Sequence, residues 1–236
     1  MSLPHDVARH LNLIRQRIAD AEAQAGRAPG SVALLAVSKT KPAAAMQAAI
    51  DAGQRAFGEN YLTEALEKIE QLAGQDCEWH FVGAIQSTKT RPRATHFDWV
   101  HCVDREKIAR RLSEQRPAEH DALNVCIQVN IDRESTKAGV LPEDAEALAS
   151  VVSQLPQLRL RGLMAIPLAT DETDRQRQST RALKQLFDKM QAQHPNMDTL
   201  SIGMSGDMEA AIQEGSTMVR VGTGVFGARP PRESVG

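Results

Sequence analysis

Lys39 is the first residue in the chain whose type and position could do chemistry. It follows an apolar run at residues 32–38, Val-Ala-Leu-Leu-Ala-Val-Ser, which is typical of a strand buried on both faces. A lysine placed there lies in low-dielectric surroundings that lower the pKa of its amine, and such an amine can attack a carbonyl group and form a Schiff base. A solvated loop lysine is the alternative interpretation of this position taken alone.

Two turns of small residues near the C-terminus could bind an anion. Residues 203–207, Gly-Met-Ser-Gly-Asp, precede a helical stretch and offer backbone N–H groups and the Ser205 hydroxyl. Gly222, Thr223 and Gly224 follow a strand-like run, and their small size lets a ligand approach the backbone closely. Helix capping by Ser205 and ordinary turn glycines are the alternative. An amine and a phosphate cradle together suggest a phosphorylated aldehyde.

Arg220 stands inside an apolar run, Met-Val-Arg-Val, at residues 218–221. An arginine in such a strand must find a partner or reach solvent. A structural ion pair is one account of it. The functional account is that it donates a hydrogen bond to an acceptor atom of a ligand, such as a pyridine nitrogen.

These side chains need a scaffold that brings the ends of several strands together. Seven helical stretches alternate with eight strand-like runs, and this pattern indicates parallel strands joined by right-handed crossovers. It predicts a single (β/α)8 TIM barrel of the α/β class over residues 1–228, with an extra N-terminal helix at its start and a tail at 229–236. An open doubly wound sheet is not excluded by the pattern. The predicted strands are 32–38, 55–58, 79–83, 99–103, 124–130, 158–164, 199–202 and 218–221.

The composition excludes several classes of function. The 236 residues carry a net charge of −2 and are only 3% aromatic, so the chain lacks both the positive field and the stacking surface of a nucleic-acid-binding protein. No apolar run approaches the roughly 18–20 residues of a membrane span, and no signal peptide is recognisable. Three cysteines (Cys77, Cys102 and Cys126), without metal-ligand spacing, indicate free thiols in the cytoplasm.

Two further motifs are misleading in their context. Residues 222–227, Gly-Thr-Gly-Val-Phe-Gly, match the dinucleotide-binding glycine pattern, but we expect no helix and no second strand after them, and no acidic residue about 20 positions on. Residues 203–207 nearly match the nucleophile elbow of serine hydrolases, but the last histidine, His194, precedes the serine. His80 is expected to be a strand residue with a satisfied ring, and no metal site is predicted.

Several stretches, in order along almost the whole chain, resemble the pyridoxal phosphate homeostasis proteins, a family whose barrel is similar to the N-terminal domain of alanine racemase. They are AVSKTKP (36–42), FGENY (57–61), EWHFVGAIQSTK (78–89), NIDRESTKAG (130–139), RGLMAIP (161–167), GMSGDMEAAI (203–212) and GSTMVRVGTGVFG (215–227). The resemblance implies that Lys39 holds pyridoxal phosphate as an internal aldimine. It also implies that Arg220 faces the pyridine nitrogen, that the phosphate is bound by Ser205, Gly222 and Thr223, and that the ring pocket is lined by Asn60 and Met164.

The resemblance further implies a carrier that maintains the supply of vitamin B6 cofactor and contacts cofactor-dependent apo-enzymes transiently, as a monomer and without robust catalysis of its own. The alternative is a racemase-like enzyme. Racemisation needs a second base on the other face of the ring, and in alanine racemase this base is a tyrosine. The single tyrosine of this sequence is Tyr61. The sequence departs from the family motif at Thr88, where the relatives have asparagine, which puts any contact of that asparagine in doubt.

Overall fold

The computed structural model describes residues 4–228 of the chain as one closed barrel of eight parallel strands. Each strand pairs with its neighbours in chain order, and the last strand pairs with the first. The strands are β1 (Ala33–Val37), β2 (Ala56–Glu59), β3 (Glu78–Phe81), β4 (Trp99–Val103), β5 (Leu123–Gln128), β6 (Leu158–Met164), β7 (Thr199–Ser201) and β8 (Met218–Val221). The barrel prediction and all eight predicted strands are confirmed.

Nine helices accompany the strands in the described part of the chain. Seven of them, α2 to α8, connect consecutive strands, which is the number that the alternating pattern predicts. The helices are α1 (Pro4–Gln24), α2 (Ala43–Asp51), α3 (Leu62–Gln71), α4 (Arg91–His96), α5 (Glu106–Gln115), α6 (Ala145–Ser153), α7 (Thr173–Gln191), α8 (Met208–Gln213) and α9 (Thr223–Phe226).

The extra N-terminal helix packs on the outside of the barrel against α2, α8 and α9. Its buried face consists of the apolar residues that recur every three or four positions: Val7, Leu11, Ile14, Ile18 and Ala21. This spacing places them on one side of a helix, so the face that the sequence predicts is the one that is buried.

The glycine motif at 222–227 contains one helical turn, α9, formed by Thr223–Phe226. The expectation of no helix and no second strand after the motif falls largely on residues outside the described part of the chain and stays a prediction. The turn is too short for the helix of a dinucleotide-binding unit, and β8 before it closes the barrel against β1. The predicted tail, 229–236, lies outside the described residues, so the division at 228 stays a prediction.

The three cysteines belong to the apolar core that packs around the barrel wall. Cys102 and Cys126 are buried, Cys77 is half-buried, and all three are free thiols, as predicted. Within residues 4–228, no helix combines the length and the hydropathy needed to cross a membrane.

Candidate functional site

The loops that follow β1, β7 and β8 meet at the carboxyl end of the barrel. A Cβ atom added to Gly222 would lie 3.2 Å from the carbonyl oxygen of Val37, the last residue of β1. A Cβ atom on Gly224 would lie 3.4 Å from Ser205 Oγ. Lys39 follows β1 directly and is half-buried. The fold therefore brings the predicted lysine and the predicted anion-binding turns to one mouth, where enzymes of this fold carry their sites.

A buried ion-pair cluster lies beside the lysine, and we call Glu59, Glu64 and Lys68 the lysine clamp. Lys68 Nζ lies 2.8 Å from Glu59 Oε1 and 2.5 Å from Glu64 Oε1, and it also donates a 2.7 Å hydrogen bond to the carbonyl oxygen of Ser38. The Glu59 side chain is fully buried, and that of Lys68 is 5% exposed. Such a cluster is held together only while the opposite charges are paired.

The clamp anchors the residue on each side of Lys39. Ser38 Oγ donates a 2.6 Å hydrogen bond to Glu59 Oε1, and the Thr40 amide donates a 2.5 Å hydrogen bond to Glu64 Oε1. Thr40 has a φ of +63°, which a β-branched residue rarely adopts. The backbone that carries Lys39 is therefore fixed on both sides, and the direction in which the lysine leaves the strand is set by the clamp.

The protonation of the clamp is dominated by burial. Loss of water around Glu59 raises the pKa of its carboxyl group, and the neighbouring ammonium of Lys68 opposes that rise. Glu59 Oε2 is buried and has no hydrogen-bond partner among the described residues. The sequence analysis missed the clamp because Glu64 and Lys68 read as polar residues on a helix surface. The only available signal was the glutamate at the carboxyl end of a buried strand.

Arg220 reaches into the barrel from β8. Its Nη1 donates to the carbonyl oxygen of Ser201 at 2.7 Å and to Ser201 Oγ at 2.8 Å, and its Nη2 donates to the carbonyl oxygen of Ala165 at 3.0 Å. Burial lowers the pKa of Arg220 to about 10, against the favourable field of Asp207. No carboxylate of residues 6–228 forms an ion pair with it, so the structural ion pair considered from sequence is not what holds it.

The turn at 203–207 keeps a set of donors available for an anion. Asp207 Oδ1 accepts a 2.6 Å hydrogen bond from the Met204 amide and closes the turn. Within the described structure, the amides of Ser205 and Gly206 donate to no acceptor, and a Cβ atom on Gly206 would meet nothing within 4 Å. Arg17 of α1 supports the turn by donating to the Ser205 carbonyl oxygen at 3.3 Å. Two N–H groups and a hydroxyl suit a phosphate group.

Asn60 lines a cavity of about 360 Å³ at the same end of the barrel. A Cβ atom on Gly83 would lie 2.3 Å from the Asn60 carbonyl oxygen, so only glycine lets the loops after β2 and β3 touch there. Asn60 Oδ1 is buried and has no hydrogen-bond partner among the described residues. The cavity is within the usual size range of ligand sites, roughly 300–1,000 Å³. A buried acceptor without a donor points to a ligand donor at this position.

The remaining predicted residues lie at the same end of the barrel with different exposure. Met164 ends β6, where it pairs with Gln128 and Ser201, and its side chain is fully buried. Thr223 begins α9 and is exposed. Thr88 is exposed in a short 3-10 turn after β3 and does not line the cavity. Among the described residues, no group of three or more His, Cys, Asp or Glu side chains could hold a metal ion.

Comparison with known proteins agrees with this geometry. Residues 10–230 match the family model of the alanine racemase N-terminal domain. The chain is 56% identical to a pyridoxal phosphate homeostasis protein of Pseudomonas aeruginosa over 223 residues, which cover 94% of this chain and 96% of that protein. It is 52% identical to the Escherichia coli protein of the same name over 228 residues, 95% of this chain and 97% of that one.

Solved structures extend the comparison. PipY of Synechococcus elongatus, solved with pyridoxal phosphate bound, shares 36% identity at a TM-score of 0.81 and covers 94% of this chain and all of that one. Alanine racemase of Corynebacterium glutamicum shares the fold, at 19% identity and a TM-score of 0.67, over 94% of this chain and 63% of its own. The chain belongs to the alanine racemase N-terminal domain family and, within it, to the pyridoxal phosphate homeostasis proteins.

Proposed function

We propose that this protein binds pyridoxal phosphate covalently through Lys39 and holds it for supply to other proteins, as a component of cofactor homeostasis. The observation that carries the proposal is the meeting of Lys39, the donor-rich turn at 203–207 and Arg220 at one mouth of the barrel. Bound pyridoxal phosphate supplies an aldehyde that an amine can attack and a ring that withdraws electrons.

The residues present fit this group by their chemistry. The Ser205 hydroxyl, the amides of Ser205 and Gly206, and the close backbone approach at Gly222 suit a phosphate, and Thr223 adds a second hydroxyl. Asn60 contributes its unpaired buried oxygen. Met164 contributes apolar surface from the end of β6.

Arg220 favours a carrier over amino-acid enzymes that need a protonated ring, but it does not distinguish a carrier from alanine racemase, whose site this one resembles. A guanidinium group is a donor that does not lose its proton under ordinary conditions, so it hydrogen-bonds an unprotonated ring nitrogen. An unprotonated ring withdraws electrons less strongly than a protonated one, which disfavours amino-acid chemistry. The single tyrosine, Tyr61, has an exposed fraction of 51%. We therefore propose a carrier without robust catalysis of its own.

Trapping with borohydride tests the binding site. The purified protein is loaded with pyridoxal phosphate, reduced, digested and analysed by mass spectrometry. We expect the pyridoxyl group on the peptide that contains Lys39, and we expect Lys39→Ala to lose it. Lys89→Ala, which removes an exposed lysine after β3, is the matched control and should label like the parent protein. A label on another residue would refute the role of Lys39.

A second experiment separates a carrier from a racemase-like enzyme. The loaded protein is incubated with single L-amino acids in deuterated water, and exchange of the α-proton is followed by NMR. A carrier shows no exchange at enzymatic rates, whereas sustained turnover would overturn the proposal. In parallel, the loaded protein is mixed with a cofactor-dependent apo-enzyme, and the return of enzyme activity is followed. We expect activity to return faster than it does with an equal concentration of free cofactor obtained by dialysis.

We further propose that the protein acts as a monomer in a reducing, cytoplasmic environment. The three free cysteines support the redox environment. Sedimentation velocity of the loaded protein, with and without an apo-enzyme, measures both the monomer and the transient complex.

A further inference from the structure

A chain of hydrogen bonds runs through the barrel behind Arg220. Arg220 Nη1 donates to Ser201 Oγ at 2.8 Å, and Ser201 Oγ lies 2.9 Å from His101 Nδ1. His101 Nε2 lies 2.8 Å from His80 Nδ1, and His80 Nε2 lies 2.7 Å from Glu78 Oε1. We call Glu78, His80, His101 and Ser201 the relay.

The relay crosses the interior of the barrel. His101 belongs to β4 and Ser201 to β7, and these strands are not neighbours in the wall, so their contact passes through the interior. His80, His101 and Ser201 are fully buried, whereas the Glu78 side chain is 49% exposed at the start of β3. There, Glu78 lines a polar cavity of about 480 Å³ at the amino end of the strands. The relay thus joins this opposite end to the mouth.

Burial keeps both imidazoles neutral. It lowers the pKa of His80, against the raising effect of Glu78 and Asp98 and with a smaller lowering by Arg161. It lowers the pKa of His101 well below its ordinary value, and His80 and Arg220 add to that lowering. The hydrogen bond from His80 lowers the pKa of Glu78, which keeps this carboxyl group ionised near neutral pH. A neutral imidazole has one donor and one acceptor nitrogen.

These protonation states leave one consistent direction for every hydrogen bond. The Glu78 carboxylate only accepts, so His80 donates from Nε2 and accepts at Nδ1. His101 must then donate from Nε2, which leaves its Nδ1 as the acceptor for the Ser201 hydroxyl. The Ser201 hydroxyl proton points away from Arg220, and its lone pairs face the guanidinium group.

We propose that the relay is a positioning device for Arg220, which fixes the guanidinium group for the ring nitrogen of the cofactor. The inference rests on the proposed function. Three of the five guanidinium N–H groups donate to neutral oxygen atoms of the protein, and the other two stay available to a ligand. The hydroxyl and the two imidazoles of the relay are aligned so that the negative end of each dipole faces Arg220. This alignment stabilises an arginine that has no ion-pair partner in the described structure.

The first test reads the relay in the cofactor-free protein. Nitrogen-15 correlation spectra of labelled histidines report which ring nitrogen carries the proton. We expect His80 and His101 both to be neutral and protonated at Nε2 at pH 7.5. Protonation at Nδ1 of either ring, or a charged ring, would overturn the relay. Because no cofactor is present, this result does not depend on the proposed function.

The second test links the relay to the cofactor through a matched pair of variants. Ser201→Ala removes the hydroxyl that contacts Arg220. Ser216→Ala removes an equally buried hydroxyl that contacts only backbone oxygens, among them that of Ile202 at 2.6 Å. We expect Ser201→Ala to weaken pyridoxal phosphate binding about three- to tenfold, the loss for one hydrogen bond, and to shift the absorption band of the bound cofactor.

The control variant should keep the affinity and the absorption band, even where both variants lose similar stability in urea. A purely structural role for the relay predicts equal effects of the two substitutions on the cofactor, and that result would overturn the inference. If the parent protein itself bound no pyridoxal phosphate, the proposed function would fall, and with it the assignment of Arg220 to the ring nitrogen.

Discussion

The lysine clamp and the relay hold the two ends of the same site in opposite ways. The clamp brings one ammonium and two carboxylates together beside Lys39. The relay supports Arg220 through two neutral imidazoles and a hydroxyl, and places its only carboxylate at the surface. The clamp fixes a stretch of backbone, whereas the relay fixes the end of a side chain.

The difference shows what each task requires. A backbone segment has N–H and C=O groups on several sides, and charged partners hold it strongly because hydrogen bonds to ionised groups are about twice as strong as neutral ones. A guanidinium group that must keep donors for a ligand is better supported by neutral acceptors, since a buried carboxylate in direct contact would compete for those donors. The two clusters should therefore respond differently to the loss of a charge and to pH.

The largest effect is expected from breaking the clamp. Lys68→Met leaves Glu59 buried without its ammonium, and removal of one partner of a buried ion pair costs about 3–5 kcal/mol. Urea unfolding at pH 7.5 measures the free energy of unfolding. Lys184→Met is the control, because Lys184 also pairs with a carboxylate four residues away, Asp188, but at the surface. That pair is expected to contribute about 0.3–0.5 kcal/mol, and equal losses in the two variants would contradict the buried role of the clamp.

The contrast between the two clusters also marks how far sequence reasoning reaches. The eight strands follow from short apolar runs at regular spacing, and the mouth residues follow from the rule that sites lie at the carboxyl ends of barrel strands. The pattern did not locate α4, since Arg91–His96 has almost no apolar residues. It did predict His80 as a satisfied strand residue, and the ring is hydrogen-bonded at both nitrogens.

The partners of that ring could not be predicted. The contact between β4 and β7 that completes the relay joins residues 100 positions apart across the barrel. No periodicity records it, because strand order specifies neighbours in the wall and not side chains that meet inside. The clamp could not be predicted from the sequence for the same reason. Its residues, Glu59, Glu64 and Lys68, form a cluster only when helix α3 packs beside the end of β1.

A smaller effect should separate the clusters by pH. The pKa of His101 is lower in the folded protein than its ordinary value of 6.5, so the unfolded chain binds the proton first. The stability that His101 contributes is complete above pH 6.5 and is lost as the pH falls toward the folded pKa. In His101→Gln, the decline in unfolding free energy below pH 6.5 should be shallower, by up to about 1.4 kcal/mol per pH unit.

The pKa values of the two relay histidines are also affected by nearby charges, those of Glu78, Asp98, Arg161 and Arg220. The control for this measurement is therefore a histidine outside the relay. His96→Gln replaces an exposed histidine at the end of α4, outside the relay. Urea unfolding of both variants at intervals from pH 7.5 to pH 5.5 measures the slopes. An unchanged slope in His101→Gln would show that the buried ring is not neutral in the folded state.

Glu59 should show the opposite sign. Burial raises its pKa above the ordinary value of 4.5, so the stability that it contributes is present below pH 4.5 and is lost as the pH rises through the folded pKa. In Glu59→Gln, this loss is absent, and the unfolding free energy should rise more steeply with pH above 4.5 than in the parent protein. The difference in slope is at most about 1.4 kcal/mol per pH unit, and a urea series extended from pH 7.5 down to pH 4.5 measures it. A shallower rise in the variant would mean that Lys68 outweighs burial.

The smallest effect concerns the backbone that the clamp holds. A β-branched residue at φ +63° is strained, and the Thr40 side chain is exposed while its amide still donates to Glu64. Thr40→Gly relieves strain of about 1–2 kcal/mol and increases the freedom of the unfolded chain by about 0.5–1 kcal/mol, so the protein should gain up to about 1 kcal/mol. Arg133→Gly is the control, because Arg133 has a φ of +55° but also loses an exposed ion pair with Glu143.

The Thr40→Gly substitution should stabilise the protein without changing the position of Lys39. Glycine retains the amide that binds Glu64, and Ser38 on the other side of Lys39 still donates to Glu59, so both anchors of the segment persist. Borohydride trapping should therefore label Lys39 as fully as in the parent protein. A stabilised variant that labels poorly would show that the threonine side chain, and not the clamp, directs the lysine. The clamp would then contribute to stability alone, and only the relay would position a functional group.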